Sequence, residues 1–219
     1  MASAGHRSYR HLSMTEPRGQ IVILNGTSSA GKSSIAIELQ RLLPGPVLRT
    51  GIDHFEQALP PDFVVFGDGV EPPAVEGLLF VTDADDRVTE MRLGPAAVRF
   101  KHGMYLAAQI LAHRGFTVIV DDVLVDERVL RAAASDLASD AFFIGVHCPR
   151  HEARRREAAR GDRPRGLVDT QFDLVHRHGR YDLDLDAHGI GPTENADAVR
   201  RLLASGTRPA ALQALAEST

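Results

Sequence analysis

The segment Ile21–Ser33, with the sequence IVILNGTSSAGKS, decides the fold. Its first part, Ile21–Asn25, is short, β-branched and apolar, which is typical of a strand buried on both faces of a parallel sheet. The residues that follow match the phosphate-loop pattern of two glycines, Lys32 and Ser33 at the required spacing. A helix predicted over Ser33–Leu43 completes the unit, because loop amides at the positive end of a helix bind phosphate oxygens.

The loop residues have the chemistry to hold a nucleotide and its metal ion. Lys32 is expected to reach the β- and γ-phosphates, and the Ser33 hydroxyl is expected to bind Mg²⁺, which takes few protein ligands. A glycine-rich turn without a function is the alternative, and the joint presence of strand, motif and helix argues against it. The residues predicted to bind ATP are Gly26, Thr27, Ser28, Ser29, Ala30, Gly31, Lys32, Ser33 and Ser34.

Composition limits the class of protein. The chain has 219 residues, of which 43% are hydrophobic and 25% are charged, as in an ordinary globular domain. A net charge of −4 gives no reason to expect a nucleic-acid partner. No run approaches the roughly 20 apolar residues of a membrane span, so no membrane partner is expected. The single cysteine excludes an intramolecular disulfide and suits the cytoplasm, and a homo-oligomer remains open.

Strand and helix patterns alternate along the chain. Apolar runs bounded by turn residues are separated by helical stretches, which predicts an α/β fold with a parallel sheet flanked by helices. Further strands are predicted at residues 47–51, 116–120, 141–147 and 181–186. Further helices are predicted from 95 to about 114, over 126–139 and 150–160, and after Thr193, which should cap the last of them.

One stretch, residues 58–93, fits this alternation poorly because it is rich in proline, glycine and aspartate. Its clearest unit is a hairpin with strands at 78–82 and 88–92. We interpret the stretch as an insertion over the sheet edge that forms an acceptor-side wall. The remaining predicted organisation is a flexible tail at 1–19, one domain over 20–205 and a C-terminal helix or tail at 206–219.

Two acids follow the strand predicted at 116–120. Ligands of open α/β sheets bind at the carboxyl ends of the strands, and a phosphate loop needs an acid there to hold the metal ion or its water. Asp121 is therefore the predicted second metal ligand beside Ser33. The alternative is that Asp121 and Asp122 cap the next helix, a role that suits Asp122.

A third acid, Asp53, follows the strand predicted at 47–51 and belongs to the same edge of the sheet. Transfer of a phosphoryl group to an alcohol needs a base beside the hydroxyl, and this position suits that role. The alternative is that Asp53 caps a short helix over residues 54–59. Position alone leaves both interpretations open.

Arginines at helical spacing form a further cluster. Arg156 and Arg160 lie on one face of the helix predicted at 150–160, and Arg163 follows in a loop that contains glycine and proline. Guanidinium groups bind phosphate bidentately and stabilise charge on a transferring group. We therefore predict a lid over residues 150–166, in which Arg156 and Arg160 are catalytic and Arg160 and Arg163 bind the nucleotide. A solvated, charge-balanced helix is the alternative.

In combination, these residues resemble the chloramphenicol phosphotransferase-like proteins of the P-loop kinase superfamily. The resemblance covers roughly residues 20–205 and is far more specific than the phosphate loop alone. The matching landmarks are Ile-Leu-Asn-Gly-x-Ser-Ser-Ala-Gly-Lys-Ser at 23–33, Gly-x-Asp at 51–53, Val-Ile-Val-Asp-Asp-Val at 118–123, Ala-Arg-Gly-Asp-Arg at 159–163 and Tyr-Asp-Leu-Asp-Leu-Asp at 181–186.

The resemblance implies a P-loop kinase-like sheet with ATP and Mg²⁺ at Gly26–Ser33 and lid arginines within Arg156–Arg163. It also implies that Asp53 accepts the proton of a primary hydroxyl, as in the family reaction that inactivates chloramphenicol by 3′-O-phosphorylation. The expected activity is ATP-dependent O-phosphotransfer to a small molecule, with chloramphenicol or a related antibiotic as the first choice. Alternatives are a kinase of another metabolite and a nucleotide-binding regulatory module without kinase activity.

Overall fold

The computed structural model describes residues 18–67, 76–161 and 164–218. The strands in these ranges are β1 (Ile21–Asn25), β2 (Val47–Gly51), β3 (Val64–Gly67), β4 (Leu78–Thr82), β5 (Val88–Leu93), β6 (Thr117–Asp122), β7 (Ala141–His147) and β8 (Leu183–Asp186). The α-helices are α1 (Lys32–Leu42), α2 (Ile52–Glu56), α3 (Pro95–His113), α4 (Glu127–Leu137), α5 (Arg150–Arg160), α6 (Leu167–Val175), α7 (Pro192–Ala204) and α8 (Ala211–Glu217). A 3₁₀ turn spans Pro61–Phe63.

The central sheet is parallel and has the strand order β2-β6-β1-β7-β8. β1 lies at its centre, and all five of its residues are fully buried. Residues of α3, α4 and α8 pack against one face, and residues of α1 and α7 pack against the other. Because both faces of β1 meet helices rather than water, its first four residues are all apolar instead of alternating, and only Asn25 at its end is polar. The predicted α/β fold is confirmed.

The carboxyl ends of β1, β2 and β6 meet at one edge of this sheet. Leu24 lies opposite Asp121 across β1 and β6, and Gly51 lies opposite Asp121 across β2 and β6. A Cβ atom at Gly51 would lie 2.2 Å from the Asp121 carbonyl oxygen, so this close approach requires glycine. The phosphate loop after β1, Asp121 and the helix that carries Asp53 are thereby brought together.

The segment predicted as an insertion forms a second, three-stranded sheet in the order β3-β4-β5. The predicted hairpin is confirmed: β4 and β5 pair antiparallel, with a register shift between Val81 and Thr82. β3, which pairs parallel with β4, was not predicted. Leu78 and Phe80 of β4 pack into the core beside α3, and Phe66 of β3 stacks on Phe80 with ring centroids 4.7 Å apart. Val88 and Leu93 of β5 belong to the same core, so the second sheet is attached to it through β4 and β5.

Asp122 does not cap a helix. It is the last residue of β6 and is fully buried, and its carboxylate accepts hydrogen bonds from Lys101 Nζ at 2.9 Å and from the Tyr105 hydroxyl. Asp126 caps α4 instead, since its side chain accepts from the Arg128 backbone N–H at 2.8 Å. The ion pair with Lys101 thus makes Asp122 a buried residue of β6, and the next acid along the chain, Asp126, is the helix cap.

Thr193 does not cap the last long helix either. Gly191 occupies the cap position and Pro192 is the first helical residue, because the fixed φ of proline suits that position. The predicted segment 206–219 contains α8, and residues 1–17 of the predicted tail lie outside the described residues. None of the helices in the described part of the chain combines the length and apolar character needed to span a membrane.

Candidate active site

The phosphate loop runs from Gly26 to Ser33 between β1 and α1. Two of its residues have positive φ angles, Ser29 at 58° and Gly31 at 105°, and such a backbone disfavours a side chain at Gly31. A Cβ atom at Gly31 would also lie only 3.3 Å from Arg156 Nη1. At the start of the loop, a Cβ atom at Gly26 would lie 2.5 Å from the Val146 carbonyl oxygen. The two motif glycines are therefore required by the geometry of the loop.

Buried polar groups line the inside of this loop. The hydroxyls of Ser28 and Ser29 are buried and have no hydrogen-bond partner among the described residues. Thr27 Oγ1 donates to the Ser28 carbonyl oxygen at 2.7 Å, and Ala30 is fully buried. Lys32 is 6% exposed, and its Nζ donates to the Thr27 carbonyl oxygen at 2.8 Å. Two unused hydroxyls beside a buried ammonium group fit a phosphate group, whose oxygens accept hydrogen bonds from both.

Ser33 and Asp121 meet at the first turn of α1. Ser33 Oγ donates to Asp121 Oδ2 at 2.5 Å, and Lys32 Nζ lies 3.7 Å from Asp121 Oδ1. Hydroxyl and carboxylate oxygens are the ligands that Mg²⁺ prefers, so this pair fits that ion. The predicted metal ligands therefore lie together, beside the predicted phosphate-binding lysine.

Arg156 points from α5 into the loop. Its guanidinium donates to the carbonyl oxygens of Ala30 at 3.1 Å and Ala187 at 2.9 Å, and to Glu152 Oε1 at 2.8 Å. Hydrogen bonds from Arg155 and then from Arg156 lower the pKa of the Glu152 carboxyl to about 2. Glu152 therefore stays ionised at neutral pH and keeps Arg156 oriented. These bonds fix the Arg156 guanidinium beside the phosphate loop, and Arg156 lines the cleft there.

A cleft of about 300 Å³ joins these groups to Asp53. Arg160 and Asp53 lie on its rim, while Arg163 lies outside the described residues. Asp53 is an exposed residue in the first turn of α2, and α2 has no side-chain cap. The predicted site residues that line the cleft are Ser29, Gly31, Lys32, Ser33, Ser34, Asp53, Asp121, Arg156 and Arg160.

Asp53 also lines a second opening, a groove of about 560 Å³ on the side of the small sheet. Glu56 and Gln57 contribute polar groups to this groove. Its apolar walls come from Leu59, Pro60, Pro61, Val64, Phe66, Phe80, Pro164 and Leu167. Asp53 therefore lines both the cleft beside the phosphate loop and a groove whose walls are mostly apolar side chains, and the segment predicted as an acceptor-side wall supplies most of that groove.

Two residues of the site were missed from the sequence. Gln171 of α6 is 4% exposed, and its Oε1 accepts from the Ser28 backbone N–H at 2.7 Å. Asn195, in the first turn of α7, lines the cleft and donates to the carbonyl oxygens of Asp186 at 2.9 Å and Ile190 at 3.1 Å. The sequence holds no motif for either residue, since the elements that carry them are distant from the loop along the chain.

Comparison with known proteins identifies the family. Residues 19–204 match the family described as chloramphenicol phosphotransferase-like protein. The chain belongs to this family. Two relatives from Mycobacterium tuberculosis, from strains CDC 1551 / Oshkosh and ATCC 25618 / H37Rv, are named "Putative O-phosphotransferase MT2714" and "Putative O-phosphotransferase Rv2636". Each is 32% identical over 181 residues, which cover 78% of this chain and 76% of the relative.

Solved structures of P-loop kinases share the fold of this family member. The APS kinase CysC of Mycobacterium tuberculosis in complex with AMPPNP and APS has a TM-score of 0.59 at 21% identity, over 86% of this chain and 99% of the kinase. A sugar kinase from Janibacter sp. HTCC2649 has a TM-score of 0.61 at 14% identity, over 86% and 96%. Shikimate kinase from Acinetobacter baumannii has a TM-score of 0.52 at 13% identity, over 86% and 95%. Family and fold together indicate an O-phosphotransferase of the kinase type that acts on a small molecule.

Proposed function

We propose that the protein transfers the γ-phosphoryl group of ATP to a hydroxyl of a small molecule, with chloramphenicol or a related hydroxylated antibiotic as the preferred acceptor. One observation carries this proposal. Asp53 lies on the rim of the cleft that contains Lys32, Ser33 and Asp121, and it also lines the apolar groove on the other side. A carboxylate at the junction of a phosphate site and an apolar groove is placed to serve a hydroxyl that enters from the groove.

Residues of the phosphate loop and of α5 bind the phosphoryl donor, ATP. Loop amides and the hydroxyls of Ser28 and Ser29 bind phosphate oxygens, and Lys32 neutralises charge on the β- and γ-phosphates. Ser33 and Asp121 hold Mg²⁺, which supplies neutralisation of the phosphate charge when bound. Arg156 and Arg160 stabilise the charge that spreads over the transferring group.

The acceptor half of the reaction falls to Asp53. Its carboxylate orients the hydroxyl and accepts its proton as the hydroxyl oxygen forms a bond to the γ-phosphorus. The bond between this phosphorus and the β–γ bridging oxygen breaks, and ADP leaves. The products are a phosphate monoester and ADP, and the proton passes from Asp53 to solvent. Most of the rate enhancement comes from positioning and charge stabilisation.

The groove supports an acceptor with an apolar body. Phe66, which is 49% exposed, stacks on Phe80 at its wall, and an exposed aromatic ring gives a flat acceptor a surface for contact. The curated relatives are named as O-phosphotransferases, and the family bears the name of chloramphenicol. These features favour a chloramphenicol-like alcohol over the strongly anionic acceptor APS.

An ADP-release assay over a panel of acceptors tests this function. The purified chain is given Mg-ATP and, in turn, chloramphenicol, shikimate, gluconate or APS. We expect ADP release to depend on the acceptor and to be fastest with chloramphenicol. Fastest release with shikimate, gluconate or APS would identify a kinase of another metabolite. ATP binding without acceptor-dependent release would favour a regulatory module and contradict the proposed reaction.

Lys32→Ala should weaken the binding of Mg-ATP by about 10- to 100-fold, because a charge-assisted hydrogen bond to phosphate is lost. Isothermal titration calorimetry with Mg-ATP measures the change. Arg41→Ala is the matched control, because it removes a cation from the exposed end of the same helix, where Arg41 contacts Glu38. Affinity of Lys32→Ala equal to that of the unaltered chain would contradict the assignment of Lys32.

A further inference from the structure

Gln171 connects α6 to the phosphate loop. Its side chain is 4% exposed, and its Oε1 accepts a hydrogen bond from the Ser28 backbone N–H at 2.7 Å. Of the two ends of a carboxamide, only the oxygen can accept a hydrogen bond from a backbone N–H. This bond therefore identifies the other end of the Gln171 side chain as Nε2. The amide nitrogen of Gln171 is therefore directed away from the Ser28 N–H.

The helix that carries Gln171, α6, is anchored at both ends by hydrogen bonds. At the start of α6, the buried carboxylate of Glu157 accepts from the backbone N–H groups of Gly166 at 3.0 Å and Val168 at 2.9 Å. At its end, Asn25 Nδ2 donates to the Val175 carbonyl oxygen at 2.9 Å. Both ends of the helix are thus tied to elements of the site, one to α5 and one to β1. Such anchoring holds a binding side chain in one orientation.

Gln171 also lines a small cavity. This cavity of about 70 Å³ is also lined by Asp53, Glu56 and Ser28, and most of its remaining wall is apolar. Gln171 Nε2 donates no hydrogen bond to a residue that the structure describes. Lys101 also reaches the wall, but its ammonium donates to Asp122 Oδ1 and to the Val123 carbonyl oxygen, each at 2.9 Å.

We propose that Gln171 binds the acceptor, and that it selects alcohols that carry a second oxygen close to the reacting hydroxyl. Asp53 receives the reacting hydroxyl, and Gln171 Nε2 donates to the neighbouring hydroxyl or carbonyl oxygen in the same cavity. Gln171 Oε1 meanwhile keeps the Ser28 amide in place, so one side chain contacts both the acceptor and the loop. This inference rests on the proposed function, because it takes Asp53 as the residue that meets the reacting hydroxyl.

Gln171→Glu separates the two ends of the side chain. The variant keeps an oxygen for the Ser28 N–H and replaces the donor with a group that cannot donate when ionised. We expect the KM for the acceptor to rise about tenfold or more, because a hydrogen bond to the acceptor is lost and two oxygens face each other. The new carboxylate also lies beside the phosphate loop, so some loss of Mg-ATP affinity is expected, and we expect it to be smaller than the rise in the acceptor KM because an oxygen still accepts from the Ser28 N–H.

The assay uses chloramphenicol, or whichever panel alcohol the unaltered chain phosphorylates fastest, beside an analogue that lacks the neighbouring oxygen. The unaltered chain should prefer the parent alcohol by about tenfold, and Gln171→Glu should lose that preference, which a general loss of structure would not cause. Gln213→Glu is the matched control, because Gln213 is exposed on α8 and donates to Glu217.

The outcomes separate this inference from the function on which it rests. Acceptor phosphorylation by the unaltered chain with an unchanged KM and an unchanged preference in Gln171→Glu would overturn the role of Gln171 alone. A rise in the acceptor KM that exceeds the change in the Kd of Mg-ATP, together with loss of the preference for the parent alcohol, would support it. Absence of any phosphorylated acceptor with the unaltered chain would overturn the proposed function, and the inference with it.

Discussion

Asp53→Ala should lower the turnover of acceptor phosphorylation by about 10²- to 10⁴-fold, the range typical of a lost general base. The side chain is exposed at the rim of the cleft and belongs to neither core cluster, so the substitution should leave the fold intact. Asp53 is also not part of the phosphate loop, so the affinity for Mg-ATP should remain within about twofold. Initial rates of ADP release at saturating acceptor measure the first quantity, and calorimetry measures the second.

Two further variants make the Asp53 result specific. Asp53→Asn keeps the shape of the side chain but removes its basicity, so its turnover should fall almost as far as that of the alanine variant. Asp85→Ala removes an exposed acid from the β4–β5 turn and should leave turnover unchanged. Turnover of Asp53→Ala within about threefold of the unaltered chain would contradict the assignment of Asp53 as the base.

Lys101→Met should lower the free energy of unfolding by about 3–5 kcal/mol, because it leaves the Asp122 carboxylate buried without its cation. Lys101 is 5% exposed and Asp122 is fully buried, and the two groups are 2.9 Å apart. Burial, followed by the charge of Asp122, raises the pKa of the Tyr105 hydroxyl well above its ordinary value, so Tyr105 stays a neutral donor and cannot replace the cation. Urea denaturation followed by circular dichroism measures the change.

The double variant Lys101→Met with Asp122→Asn is the control for this stability effect. Removing both charges leaves no buried ion without a partner, so the double variant should unfold at a higher urea concentration than Lys101→Met alone. A loss below about 1 kcal/mol in Lys101→Met would contradict the assignment of the pair as a buried ion pair that holds β6 against α3.

The strand, loop and helix around Gly26 were predictable because their signals are local. The apolar run of β1, the motif spacing and the helix that follows are contiguous in the sequence, and each fits the others. Asp121 was predictable for a related reason, since the carboxyl ends of parallel strands meet at one edge whatever the details of packing. The structure places its carboxylate 2.5 Å from Ser33 Oγ.

The contacts of Asp122 and Gln171 were not predictable, because each of them is made with a partner distant in sequence. Asp121 and Asp122 are adjacent acids at the end of one strand. Asp122 is buried in the core because Lys101 of α3 donates a hydrogen bond to its carboxylate. Gln171 lies in the short helix α6, which no strong sequence pattern predicts. Its bond to Ser28 spans 143 positions of sequence, and no spacing rule covers that distance.

Mass spectrometry of the acceptor tests the central claim, that a phosphoryl group moves from ATP to an alcohol, most directly. The full chain is incubated with Mg-ATP and chloramphenicol. The mass of the recovered antibiotic is then measured, together with the amount of ADP that is formed. The account predicts an acceptor heavier by one HPO₃ group, formed in equal amount with ADP and absent from the Asp53→Ala reaction. The account would be contradicted if the reaction formed ADP and inorganic phosphate while chloramphenicol and every other alcohol of the panel stayed unmodified.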